Sequence, residues 1–159
     1  MSEPILTPSY FYNLKEVKAI LELPWEVPVF FYISDVDKKI HIVTYNEYRG
    51  DAMGCVLPPL EEILAELKKT NSTKVLLVHN HPGKNSPCTP SNKDLIATER
   101  LSRDLRKHGM ILVDHLIVTK NGYYSFFADG RLWNVGSNKR QTFSFKTLLK
   151  TLFKKEPLS

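Results

Sequence analysis

The chain is poor in cysteine, with only Cys55 and Cys88. Two thiols are too few for a disulfide framework or a four-cysteine zinc site, so any metal must be held mainly by histidine and carboxylate. It also lacks a long apolar run, since nothing approaches the roughly 20 residues a membrane span needs. The N-terminus carries Glu3 and Pro4 in place of the basic stretch and apolar core of a signal peptide, so a cytosolic location is the expectation. Internal repeats and low-complexity blocks are missing as well. What is there is ordinary: 159 residues, 42% apolar and 25% charged, enough for one globular domain with a real core.

Excess charge is missing from most of the chain. From Ser137 onward, Lys139, Arg140, Lys146, Lys150, Lys154 and Lys155 stand against Glu156 alone, which accounts for the whole net charge of +5. A basic protein suggests nucleic acid, but here that suggestion rests on the tail. Residues 143–153 place Phe145, Leu148, Leu149, Leu152 and Phe153 on one helical face, with Lys146, Lys150 and Lys154 on the other. Such a helix docks on its own domain, fits a protein partner, or meets nucleic acid or lipid. Docking is the first reading and a protein partner the second; nucleic acid is not favoured.

The patterning along the chain is that of an α/β protein, with a mixed β-sheet flanked by helices. Leu14, Val17, Ile20 and Leu21 predict a helix over 13–22, ended by Pro24. Val29 to Ile33 reads as a strand buried on both faces, and Ile40 to Tyr45 as its partner after a turn at Asp35 and Asp37. Pro58-Pro59 opens a helix striped by Leu60, Ile63, Leu64 and Leu67, with acids in its first turn and lysines in its last. Val75 to Val78 reads as a short strand ending at His79. A Gly/Pro/Ser/Asn loop follows, and then a helix from Ser91 to His108, stopped by Gly109. Residues 111–118 form a further strand, and Asn121-Gly122 turns it into a return over Tyr123 to Phe127.

The chemistry gathers where the third strand ends. His79 and His81 sit at the mouth of the sheet, and the bend at Pro82 is expected to bring their rings to one side. Asp94, one turn into the next helix, faces the same end. Two imidazoles and a carboxylate give zinc three ligands and leave a place for water, which is the mark of a catalytic site. A carboxylate outside that shell must move the proton, and Glu26, at the start of the first buried strand, is the choice over Glu22 and Glu47. Ser91 is then free to donate to the oxyanion.

These residues carry a resemblance. The segment from Lys74 to Gly83, the Ser91-x-x-Asp94 pair and the run Leu112-Val113-Asp114-His115-Leu116-Ile117-Val118 resemble the RadC-like branch of the JAMM (MPN+) metallopeptidase family, over roughly residues 26–128. The resemblance implies the mixed-sheet architecture shared with cytidine deaminases. It also implies a zinc site built from an upstream Glu, matched by Glu26, an His-x-His-Pro and a Ser-x-x-Asp. The implied activity is hydrolysis of peptides or ubiquitin-like conjugates; an accessory role in DNA metabolism through the basic tail is the alternative. The expected organisation is an N-terminal helical extension over 1–25, a catalytic domain over 26–130 and a basic tail over 131–159. The loop between Pro82 and Ser91 is two residues longer than the family pattern, which affects access to the site more than its ligands.

Each feature also has a plainer reading. Ser91-x-x-Asp94 alone is a helix cap, and only the histidine pair upstream turns it into a site. Asp114 and His115, inside an apolar strand, are read first as a buried structural pair and second as an element behind the ligands. Cys88 is read as incidental. The letters His-Asn-His do not make an HNH nuclease, whose residues are spread over a ββα element. A zinc deaminase would need His-x-Glu and Pro-Cys-x-x-Cys.

Overall fold

A computed structural model describes residues 6–50 and 56–132. Cys55 and the amphipathic stretch expected over 143–153 lie outside the described residues. Pro28–Ser34 forms β1, and all of its side chains are buried, as a continuous β-branched and aromatic run requires. Ile40–Thr44 forms β2, pairs antiparallel with β1 and is only half-buried, so it makes one edge of the sheet. Ser72–Asn80 forms β3, antiparallel to β1, and Ile111–Thr119 forms β4, parallel to β3. Gly122–Ser125 forms β5 and closes the other edge, giving the order β2-β1-β3-β4-β5.

Helices cover both faces of this sheet. Pro8–Tyr12 (α1) and Lys15–Ile20 (α2) lie on the face of Phe31, whose ring meets that of Phe11 edge-on at 5.2 Å. Phe11, Val17 and Ile20 are buried there, so the stretch read as an N-terminal extension packs onto the sheet. Leu60–Lys69 (α3) packs on β3, with Ile63 and Leu67 buried, and Asn92–Lys107 (α4) packs on β4, with Leu101 and Leu105 buried. Its last turn is followed by Gly109 at φ +75°, a backbone angle suited to glycine. α4 is also the crossover that a parallel β3–β4 pair needs.

The helix expected over 13–22 is shorter, Lys15–Ile20, β3 begins earlier, at Ser72, and three further differences have a local cause. α1 was not expected, because five residues give no periodicity; its signals are the Thr7 cap, which accepts the Tyr10 N–H at 3.2 Å, and Pro8 in the first turn. β3 runs on through His79 and Asn80, because β1 and β4 pair with those positions too. β5 ends at Ser125, two residues early, because the Phe127 N–H turns away to the Asp114 carboxylate at 2.9 Å.

Candidate metal centre

Four side chains meet at the C-terminal end of β3. Register explains how Glu26 joins them from a distance in sequence. Pro28 lies opposite His79 in the β1–β3 pair, so extending the pairing by two residues sets Glu26 across from His81. Alternate residues of a strand share a face, and Glu26, His79 and His81 therefore share one. This corrects the expectation that a bend at Pro82 is needed: the His81 N–H still bonds the Val118 carbonyl at 3.0 Å, and extended backbone alone aligns the two rings. Asp94 arrives from the first turn of α4. Ser91 caps that helix by accepting the Asp94 N–H at 3.1 Å, while its own N–H bonds the Asp94 carboxylate at 2.9 Å, a full capping box.

The result is a tight cluster. One ligand atom from each of Glu26, His79, His81 and Asp94 can be chosen so that all lie within 4.8 Å of one another. His79 Nε2 is 3.2 Å from Glu26 Oε1 and 3.4 Å from Asp94 Oδ1; His81 Nε2 is 3.1 Å from Asp94 Oδ2 and 3.9 Å from Glu26 Oε1. Glu22 pairs with Lys120 at 3.3 Å on the surface, and Glu47 is exposed in the 3-10 turn Asn46–Tyr48, so neither rival reaches the cluster.

The residues fit a divalent metal. Glu26 Oε1 and His79 Nε2 are buried, face each other, and make no hydrogen bond among the described residues. Buried polar atoms left in that state are costly unless something sits between them. Two imidazole nitrogens and two carboxylates are a hard-to-borderline donor set suited to zinc and its neighbours. Electrostatics point the same way. Burial pulls His79 down, but the Asp94 and Glu26 carboxylates outweigh it and hold the imidazole above its ordinary value. Burial also opposes ionisation of Asp94, yet the two histidines keep it well below the usual carboxylate range. The site concentrates negative charge that attracts a cation.

The surroundings fix the rings. His81 Nδ1 lies 2.9 Å from the Pro87 carbonyl, so the loop after Pro82 supplies a partner for this histidine. Ser86 bonds back to the Pro82 carbonyl, which tightens the same loop. His79 Nδ1 lies 2.7 Å from His115 Nε2, and the His115 ring stacks on Phe126 at 4.7 Å. Asp114 and His115 thus part company. Asp114 accepts from Ser125 Oγ and from the N–H groups of His115 and Phe127 and holds the β5 turn, whereas His115 backs His79. Cys88 is half-buried and lies outside the cluster.

Two residues escaped the sequence reading. Asn80, fully buried between the histidines, accepts the Val27 N–H at 2.8 Å and donates to the Trp25 and Ile20 carbonyls at 3.0 Å each. It clamps the backbone on both sides of Glu26. The available signal was an amide in an otherwise apolar strand. Thr98 lies one turn beyond Asp94, with its hydroxyl 2.6 Å from His115 Nδ1; a threonine on a helix's inner face gives no signal of its own.

Similarity to known proteins agrees with this geometry. A family model for the RadC-like JAB domain matches residues 15–132. A UPF0758 protein of Thermotoga maritima is 33% identical over 97 residues, covering 61% of this chain and 43% of its own length. One from Ralstonia pickettii is 32% identical over 128 residues, covering 77% of this chain and 54% of its own. One from Fusobacterium nucleatum is 29% identical over 100 residues, covering 63% and 42%. The chain spans about half the length of these curated relatives. With its mixed sheet and its strand-end cluster of two histidines and two carboxylates, the chain belongs to the RadC-like JAB domain family, a JAMM/MPN-related group.

Proposed function

We propose that the chain is a zinc-dependent hydrolase that cleaves an amide bond in a peptide or a ubiquitin-like conjugate. The observation that carries this reading is the convergence of Glu26, His79, His81 and Asp94 around two buried atoms that make no hydrogen bond among the described residues. His79, His81 and Asp94 are the ligands, with one zinc ion per chain. When bound, the ion acts as a Lewis acid and brings the pKa of its water to about 7. Glu26 takes the proton from the attacking water and delivers it to the leaving amine, which its carboxylate beside the Nε2 atoms of His79 and His81 allows. Ser91 uses its oxygen to cap α4, which leaves its O–H free to donate to the carbonyl oxygen as charge develops there.

The test is hydrolysis of a ubiquitin-like fusion and of a peptide library by the zinc-loaded chain. Glu26→Gln is expected to keep the metal and to lose 100-fold or more of the rate, on the order of what one general base supplies. Retention of full activity moves the base elsewhere, and loss of the metal makes Glu26 a fourth ligand. A second reading, an accessory module of DNA metabolism, is favoured by one observation: the net charge of +5 is concentrated beyond Ser137.

A further inference from the structure

Behind His79 runs a line of hydrogen bonds that ends on the backbone of Asp94, whose carboxylate faces the other nitrogen of the same ring. His79 Nδ1 lies 2.7 Å from His115 Nε2, His115 Nδ1 lies 2.6 Å from Thr98 Oγ1, and Thr98 Oγ1 lies 2.6 Å from the Asp94 carbonyl. Every member is buried. A carbonyl can only accept, so the Thr98 hydroxyl donates to Asp94 and accepts from His115 Nδ1–H. His115 Nε2 is then a bare lone pair, and it accepts from His79 Nδ1–H. That leaves His79 Nε2 as the atom with a free lone pair, and it is the atom aimed at Glu26 and Asp94. The reverse order would turn the Thr98 hydroxyl proton to His115 and leave the two oxygens of the 2.6 Å Thr98–Asp94 contact with no proton between them. The observed geometry therefore favours a single direction for the line.

We infer that Thr98, acting through His115, is a positioning residue that sets His79 in the tautomer a metal ligand needs, so that α4 supplies both Asp94 and the means of presenting His79. The inference rests on the metal reading of the cluster. Its logic is that of an outer-shell partner, which commonly governs about 10–100-fold of metal affinity. His115 is held for this task from three sides: the Phe126 ring stacks on it with 3° between planes, Thr98 bonds one nitrogen and His79 the other. In a valine at position 98 the shape is kept and the acceptor is lost. His115 would then be free to carry its proton on Nε2, facing His79 and forcing the wrong tautomer on it.

The test is a competition titration of zinc against a chelator on the full chain, with nitrogen-15 histidine NMR on the same samples. Thr98→Val is expected to weaken zinc binding by about 10–100-fold and to move the His115 proton from Nδ1 to Nε2. Thr98→Ser restores the acceptor and is expected to restore both readouts, which a purely structural role for the threonine methyl would not do. Zinc binding and a His115 tautomer that are both indifferent to Thr98→Val overturn the inference alone. Absence of zinc binding by the unsubstituted chain overturns the metal reading and, with it, the inference.

Discussion

His81 shows how one contact decides what a side chain can do. Its Nδ1 faces the Pro87 carbonyl, an obligate acceptor, so a ring proton stays there, while Nε2 donates to the Asp94 carboxylate at 3.1 Å and is the nitrogen that a metal would take over. Asp94 does two jobs with one carboxylate, closing the capping box with the Ser91 N–H and facing both histidines. Asp114 supplies a prediction of another kind. Burial pushes its carboxyl up to about 7 from an ordinary 3.8, against the donors from Ser125, Phe127 and His115. The folded chain holds this proton more tightly than the unfolded one, so its contribution is full below the unfolded value and is lost as pH rises through about 7. Urea unfolding followed against pH should show stability falling across that window, by up to a few kcal/mol. Asp114→Asn should flatten that part of the profile, and an unchanged profile would assign the titration to another group.

At the level of elements, β3 is the piece that builds the site, because its two faces do different work. His79 and His81 point toward α4, and Asn80 points toward α2 and the segment that carries Glu26. Replacing Asn80 with alanine leaves the Val27 N–H and the Trp25 and Ile20 carbonyls without a partner. We expect a loss of about 2–4 kcal/mol by denaturant unfolding, since each buried orphan costs about 1–3 kcal/mol. Turnover should fall further than zinc content, because Glu26 loosens while the ligands on β3 and α4 remain. A stability loss well under 1 kcal/mol would mean that the segment is held by other contacts. A core substitution such as Leu67→Ala should cost about 2–5 kcal/mol and spare the site's chemistry.

The same element shows what the sequence made legible. The apolar runs of β1, β3 and β4 and the stripe of α3 are periodic over enough residues to announce themselves, and the Ser91 cap marks the start of α4 within one residue. The short α1 gave no such signal, and the turn after β5 is set by a buried aspartate rather than by local propensity. At the site, the histidines and Asp94 were visible because residue type and spacing together are rare. Thr98 and Asn80 were not, because their importance lies in what they touch across 17 and 53 residues of chain.

For the molecule as a whole, the described residues hold no helix long and apolar enough to cross a membrane. The charge excess belongs to the segment beyond Ser137. If that segment binds nucleic acid, the full chain should shift DNA in a salt-dependent manner, and a chain ending at Gly136 should not. Equal behaviour of the two would remove the accessory-module reading and leave the hydrolase. The loop between Pro82 and Ser91 partners His81 through the Pro87 carbonyl and so borders the site. The central claim, that Glu26, His79, His81 and Asp94 enclose a zinc ion, is tested most directly by metal analysis of the purified chain beside its His81→Ala and Asp94→Ala variants. About one equivalent of zinc in the unsubstituted chain, lost in both variants, is the expected result. Less than about half an equivalent, unchanged by either substitution, would contradict it.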